Sequence, residues 1–165
     1  MTSTISGDDN FDSAGPFGIT KLASGNFSND AYFQYNFNTS YTNFILVWNG
    51  VQTGTTSGSL NFRLTDSSNA LITSAEYNAD YTLAETLSTL SSQNNGHTSG
   101  IMWIIGALDS GSRTAMLTQT ANSRENYVQG NDQQFIMEFR EVNNGIRMYG
   151  PANFTDGQYQ VYGVQ

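Results

Sequence analysis

The stretch Ser59-Leu60-Asn61-Phe62-Arg63-Leu64-Thr65 constrains this chain more than any other. Leu60, Phe62 and Leu64 alternate with Asn61, Arg63 and Thr65. A period of two puts the apolar set on one side of a strand and the polar set on the other. Its neighbours point the same way. Phe44-Ile45-Leu46-Val47-Trp48 is a continuous apolar run, which reads as a strand covered on both faces or as a short buried helix. Asn49-Gly50 directly after it favours the strand and a turn. Asp66-Ser67-Ser68-Asn69 is a turn cluster, and Leu71 to Tyr77 reads as a return strand. Tyr41 to Tyr77 thus predicts a β-sheet core and carries no catalytic signal.

The rest of the chain follows suit. Phe17 to Leu22 predicts a first strand and Ser24 to Asp30 a turn. In Ala31 to Phe37, Phe33, Tyr35 and Phe37 alternate with Gln34 and Asn36. Gly100-Ile101-Met102-Trp103-Ile104-Ile105-Gly106 is a second apolar run and predicts a central strand. Asp109 to Ser112 is a turn and Arg113 to Thr120 a strand. Ala121 to Asp132 reads as a polar loop. Phe135, Met137 and Phe139 alternate along Gln134 to Arg140. Asn143-Asn144-Gly145 predicts a hairpin turn to Ile146–Tyr149. Pro151 to Asp156 reads as a loop and Gly157 to Val164 as the last strand. Tyr81 to Asn95 departs from this pattern: Leu83, Leu87 and Leu90 have helical spacing, so a short helix or an excursion loop is expected. Nine or ten short strands with close turns predict an all-β, antiparallel sandwich or barrel. The expected core is Phe44, Leu46, Trp48, Leu60, Phe62, Leu64, Ile101, Trp103, Ile105, Phe135, Met137 and Phe139.

A chain of 165 residues fits one domain, with a core large enough to need no staples. The expected division is a flexible arm over 1–16 and a single β-domain over 17–165. The arm is polar, holds Asp8, Asp9 and Asp12, and ends at Gly15-Pro16. Ile5 and Phe11 are its large apolar groups and the expected anchors of an attachment element. Charged residues make up only 12 % of the chain, and Asn, Ser, Thr, Gln and Gly fill the gap. Such a neutral-polar surface suits a protein working outside a cell or in a particle shell. The net charge of −8, with six scattered Lys and Arg, argues against nucleic acid and anionic membranes. No apolar run reaches the ~18 residues of a membrane span. The first residues lack the basic and apolar regions of a signal peptide, so synthesis in a cytoplasm without a leader is expected.

Chemistry finds little footing. The chain contains no cysteine and one histidine, His97, which excludes thiolate zinc sites and disulfides. No serine stands in a nucleophile elbow. Glu138, Glu141, Asp66 and Glu76 are of the right type for a glycosidase pair, yet Glu138 lies on the polar side of a strand and Asp66 opens a turn. Asp8-Asp9-Asn10-Phe11-Asp12 is acidic but lacks the glycine and distal glutamate of a calcium loop. No catalytic residue, metal or cofactor is therefore expected. Exposed aromatics remain. Sugar sites on β-sandwiches stack tyrosine rings on pyranose faces, and Tyr127, Tyr149, Tyr159 and Tyr162 are the candidates for glycan contact.

Tyr41 to Trp48, Ser59 to Asp66 and Ser74-Ala75-Glu76-Tyr77 together resemble a module of tailed-phage virion proteins. The ending, Asn153-Phe154-Thr155-Asp156-Gly157 with Val161-Tyr162-Gly163-Val164, is similar to the ends of the same proteins. The resemblance covers Tyr41 to Gln165 as a pattern of apolar positions and turns. Ser67-Ser68-Asn69 replaces a Gly-Gly turn common in that group, and no long shaft segment is present. The resemblance implies a jelly-roll-like antiparallel β-sandwich. It also implies a non-enzymatic tail appendage or capsid-decorating knob on the virion surface. The implied partners are other virion proteins of capsid or tail, copies of the chain itself in a homotrimer, and a host surface glycan. A stand-alone carbohydrate-binding module is the alternative.

Overall fold

The computed structural model describes residues 18–54, 58–72, 88–90, 96–124, 127–136 and 142–165. Within them lie nine strands: β1 (Ile19–Asn26), β2 (Asp30–Asn36), β3 (Asn43–Thr53), β4 (Gly58–Thr65), β5 (Ser88–Leu90), β6 (His97–Ile105), β7 (Ala115–Arg124), β8 (Tyr127–Ile136) and β9 (Gly145–Val164). The described residues are all-β, every pairing is antiparallel, and no helix occurs among them.

The 20-residue β9 organises the ladder. Through its C-terminal half it carries β1 on one edge and β3 on the other, so that Tyr162 pairs with both Lys21 and Ile45. Through its N-terminal half it carries β2 and β4, and Tyr149 pairs with both Tyr32 and Asn61. The hydrogen-bonded order is β5-β4-β9-β3-β6-β7-β8, with β1 and β2 also on β9.

Side chains on the inner side of the two halves meet each other. Trp48, on the C-terminal half, lies 4.9 Å from Phe62, on the N-terminal half. Phe33 and Tyr159 do the same at 4.5 Å. Phe37 stacks on Phe44 at 4.3 Å, and backbone bonds from Ala107 to Thr42 and from Asn143 to Ala107 tie the ends together. Leu46, Leu60, Leu64, Met102, Ile104, Met116, Ile146, Met148 and Val161 fill the space between. Burying each such side chain contributes about 1.5–3 kcal/mol before entropy is counted.

β1 gives way to β2 where these halves meet, while β9 runs on across the junction. Asn29 adopts φ 63° between β1 and β2, a conformation that asparagine tolerates. Gly157 has φ 116°, and a Cβ there would stand 2.6 Å from Val51 Cα, so the close approach of β3 to β9 demands glycine.

Several expectations are corrected. Ile101, Trp103 and Ile105 are not core: Met102 and Ile104 point inward, and Trp103 and Ile105 are 40 % and 44 % exposed. A run with apolar residues on both faces gives alternation nothing to choose by. Asn49-Gly50 is a bulge within β3, where the register shifts between Trp48 and Val51, and not a turn. Asn143-Asn144-Gly145 makes no hairpin, because Ile146 to Tyr149 pairs with β2 and β4. Where a loop was expected over Ala121 to Asp132, residues 121–124 and 127–132 belong to the paired strands β7 and β8, with Thr120 and Asn122 buried. β9 continues through Pro151 to Asp156. Pro151 has no ladder partner in β2, β3 or β4, so its missing N–H breaks no bond there. Ser88–Leu90 is a strand paired with β4, where a helix or loop was expected, in keeping with its Ser and Thr content. The arm with Ile5 and Phe11, the rest of Tyr81–Asn95, most of the Leu71–Tyr77 return strand, Met137 and Phe139 lie outside the described residues. Phe44, Leu46, Trp48, Leu60, Phe62 and Leu64 are buried as expected.

Candidate functional site

Alternation that sends Leu46, Met102, Met116 and Val161 inward sends their neighbours to the outer face of the same strands. The register then aligns them in rows. Lys21, Tyr162, Ile45, Trp103 and Leu117 form one row across β1, β9, β3, β6 and β7. A second row runs through Ile19, Val164, Asn43, Ile105 and Ala115, and a third through Gln160, Val47, Ile101 and Gln119.

The result is a sheet face that is apolar at its centre and polar at its rim. Ile19, Trp103, Ile105 and Leu117 are exposed, and Val47, Ile101, Tyr162 and Val164 are half-buried. Ile45 is buried although it stands outside the core cluster, flanked by Tyr162 and Trp103 on its own row. Tyr162 donates its hydroxyl to Gln160 Oε1, which orients the phenol along β9. On these five strands Lys21 is the one charged side chain among the described residues of the three rows, in a chain of net charge −8.

Five strands about 4.8 Å apart, each contributing about five residues at about 3.3 Å, give a face of roughly 24 by 17 Å. Its flat projection is about 400 Å², so two such faces pressed together bury about 800 Å², the range of weak, transient contacts.

The four tyrosines expected at a glycan site do not converge on one surface. Tyr159 turns inward, its ring 5.3 Å from Phe27 and 4.5 Å from Phe33. Tyr162 lies on the outer face just described. Tyr149 belongs to the other half of the sheet, beside Tyr32 and Asn61. Tyr127 opens β8 opposite Arg124. His97 is half-buried, with its Nδ1 3.0 Å from the Gly50 carbonyl, at the bulge where Ser99 Oγ accepts from the Gly50 amide. That position makes it a brace of the bulge. Asp66 accepts from the amides of Ser68 and Ala70 and holds its turn. Glu76, Glu138 and Glu141 lie outside the described residues. Burial and the charge of Tyr41 both raise the Tyr35 phenol, burial the more.

Sequence reasoning placed Trp103 and Ile105 in the core and so missed this face. The available signal was the continuity of the two apolar runs, since a strand with one wet face has no need of apolar residues at every position. No family model, curated protein or solved structure matches the chain.

Proposed function

We propose that this protein is a non-enzymatic structural module of a tailed-phage virion. It is a jelly-roll-like β-sandwich displayed on the particle surface as a tail appendage or capsid-decorating knob, and it assembles with copies of itself through the outer face of β1, β9, β3, β6 and β7. The observation that carries the assembly is that face, with Trp103 at its centre and Lys21 as its one charge. Two chains of net charge −8 repel, so a self-contact must use a surface free of carboxylates. The three rows on these five strands hold no carboxylate, and the nearest one in register is Asp132, opposite Gln119 on β8. Faces of two twisted sheets pack about 10 Å apart with strands crossing at about −30°, which brings the two pleated apolar centres together. The phage setting rests on the resemblance of Tyr41 to Gln165, and a trimer is the assembly that resemblance implies. Residues 1–16, with Ile5 and Phe11, are the proposed link to the capsid or tail.

Light scattering on the purified protein and immunogold labelling of intact particles test this reading. An oligomer at micromolar concentration, either the two-fold pair that face-to-face packing makes or the trimer that the resemblance implies, with gold on tail or head, is the expected result. A stable monomer would overturn assembly through the face, and absence from particles would overturn the virion role. A stand-alone glycan-binding module would show sugar binding without particle association.

A further inference from the structure

The bulge in β3 brings three polar groups onto one another. The register of β3 against β6 passes from Trp48–Gly100 to Val51–Thr98, so Asn49 and Gly50 stand outside that ladder. Gly50 has φ 62°, and no atom lies within 4 Å of the place a Cβ would take there. The Asn49 side chain is exposed. Ser99, on the neighbouring strand, touches both residues. Its Oγ accepts from the Gly50 amide at 2.9 Å and donates to Asn49 Oδ1 at 2.9 Å. His97 Nδ1, 3.0 Å from the Gly50 carbonyl, holds the glycine from its other side.

An asparagine followed by glycine can react with its own backbone. The nitrogen of the following residue attacks the side-chain carbonyl carbon, and glycine offers no side chain to hinder the approach. Two demands slow the step. The amide must lose its proton, and the carbonyl oxygen must take up negative charge. Here one hydroxyl stands at both of those groups. The step also needs the 49–50 peptide to rotate, which the missing β6 bonds and the open space at Gly50 permit.

We propose that the β3 bulge is a self-modifying site, at which the Ser99 hydroxyl relays a proton in the conversion of Asn49 to aspartate or isoaspartate. The Gly50 nitrogen forms a bond to Asn49 Cγ and closes a ring. The Gly50 proton passes to Ser99 Oγ while the Ser99 proton passes to Asn49 Oδ1, so the tetrahedral intermediate forms without net charge. The new hydroxyl gives its proton to Nδ2, which leaves as ammonia, and the ring becomes a succinimide. Water opens it at either carbonyl carbon, and a carboxylate stands where the chain had an amide. Asn49 pairs with Gln158, one row beyond Val47 and Gln160, so the new charge arrives at the rim of the assembly face. The reaction uses no residue of the three rows and does not depend on whether that face assembles.

Asn144-Gly145 supplies the contrast within the same molecule. Asn144 gives its side-chain amide to Asn69 Oδ1 at 2.8 Å, and Gly145 pairs with both Asn36 and Thr65. A Cβ at Gly145 would stand 2.5 Å from the Tyr35 carbonyl oxygen. Ladders on both sides hold that peptide in place.

Peptide mapping by mass spectrometry of the full chain, aged at neutral pH, tests the proposal. Trypsin cuts after Lys21 and Arg63 and after Arg140 and Arg147, which puts the two Asn-Gly pairs on separate peptides. Conversion adds about 1 Da, and fragmentation locates it. In the folded protein Asn49 should convert about tenfold or more faster than Asn144. Ser99→Ala should slow Asn49 about tenfold or more, the loss expected of a removed acid–base group. Ser99→Thr, which keeps the hydroxyl, should restore most of the rate. Asn144 should react equally slowly in all three chains, which shows that the variants stay folded. Equal conversion of Asn49 and Asn144 in the unaltered chain would overturn the proposal. So would an unchanged or faster Asn49 rate in Ser99→Ala, because Ser99 would then be a clamp on the bulge and not a relay.

Discussion

Phe62 shows what a single side chain contributes here. Its ring packs on Trp48 and is 1 % exposed. Phe62→Ala should cost about 3–5 kcal/mol in a denaturant titration, through lost burial and the cavity left behind. Gly100 tests the same contact from the opposite direction. A Cβ at this position would lie 2.4 Å from Trp48 Cζ2 and 2.7 Å from the Gln119 carbonyl oxygen, so Gly100→Ala should destabilise by about 1–3 kcal/mol. At the surface, the Ser112 hydroxyl and the Gly111 amide hold the Asp109 carboxyl below its usual range. A depressed folded value means that the turn is supported above the ordinary carboxylate range and loosens as pH falls through the depressed one. Ser112→Ala should move the Asp109 midpoint upward in an NMR titration. Phe62 was legible in the sequence because polar neighbours bracket it. The role of Gly100 was not, because nothing local announces that an indole from another strand will lie against it.

At the scale of the strand, β4 and β6 mark the limits of alternation. In β4 each apolar residue has polar neighbours, and Leu60, Phe62 and Leu64 are buried as the pattern requires. In β6 every position from Ile101 to Ile105 is apolar, and the face was decided by the partners of the strand and not by its own residues. Trp48 on β3 occupies the space beside Gly100, which turns Met102 and Ile104 inward and Trp103 outward. Turn signals proved less decisive than apolar pattern. Asn49-Gly50 became a bulge and Asn143-Asn144-Gly145 the entry to β9, because longer-range ladders outcompeted the local hairpins. The exposed side of β6 carries the next prediction. Trp103→Lys should change monomer stability by less than about 0.5 kcal/mol, yet convert the oligomer to monomer by light scattering. An oligomer that survives the lysine would move the assembly surface elsewhere.

For the whole molecule, the sequence conveyed the all-β, antiparallel character and the main apolar positions. It could not convey that one strand would serve both halves, since that depends on pairings between residues 80 to 145 positions apart. The apolar outer face is likewise a product of register and not of any local motif. If residues 1–16 form the attachment element, deleting 1–15 should leave thermal unfolding of the remaining domain almost unchanged and abolish incorporation into particles. Normal occupancy of the truncated protein would show that the link lies elsewhere.

The reliance of both halves on β9 also sets a schedule for synthesis. Ile19 finds its partner in Val164, and Asp30 finds its partner in Phe154. A ribosome that has made β1 to β8 can already pair β3 with β6, β7 and β8, but it leaves β1, β2, one edge of β4 and the outer edge of β3 with nothing to join them. Until residues 145–164 leave the exit tunnel, those edges are open to neighbouring chains. The nascent protein should thus fold late and as a unit, and products stopped short of β9 should aggregate or be degraded.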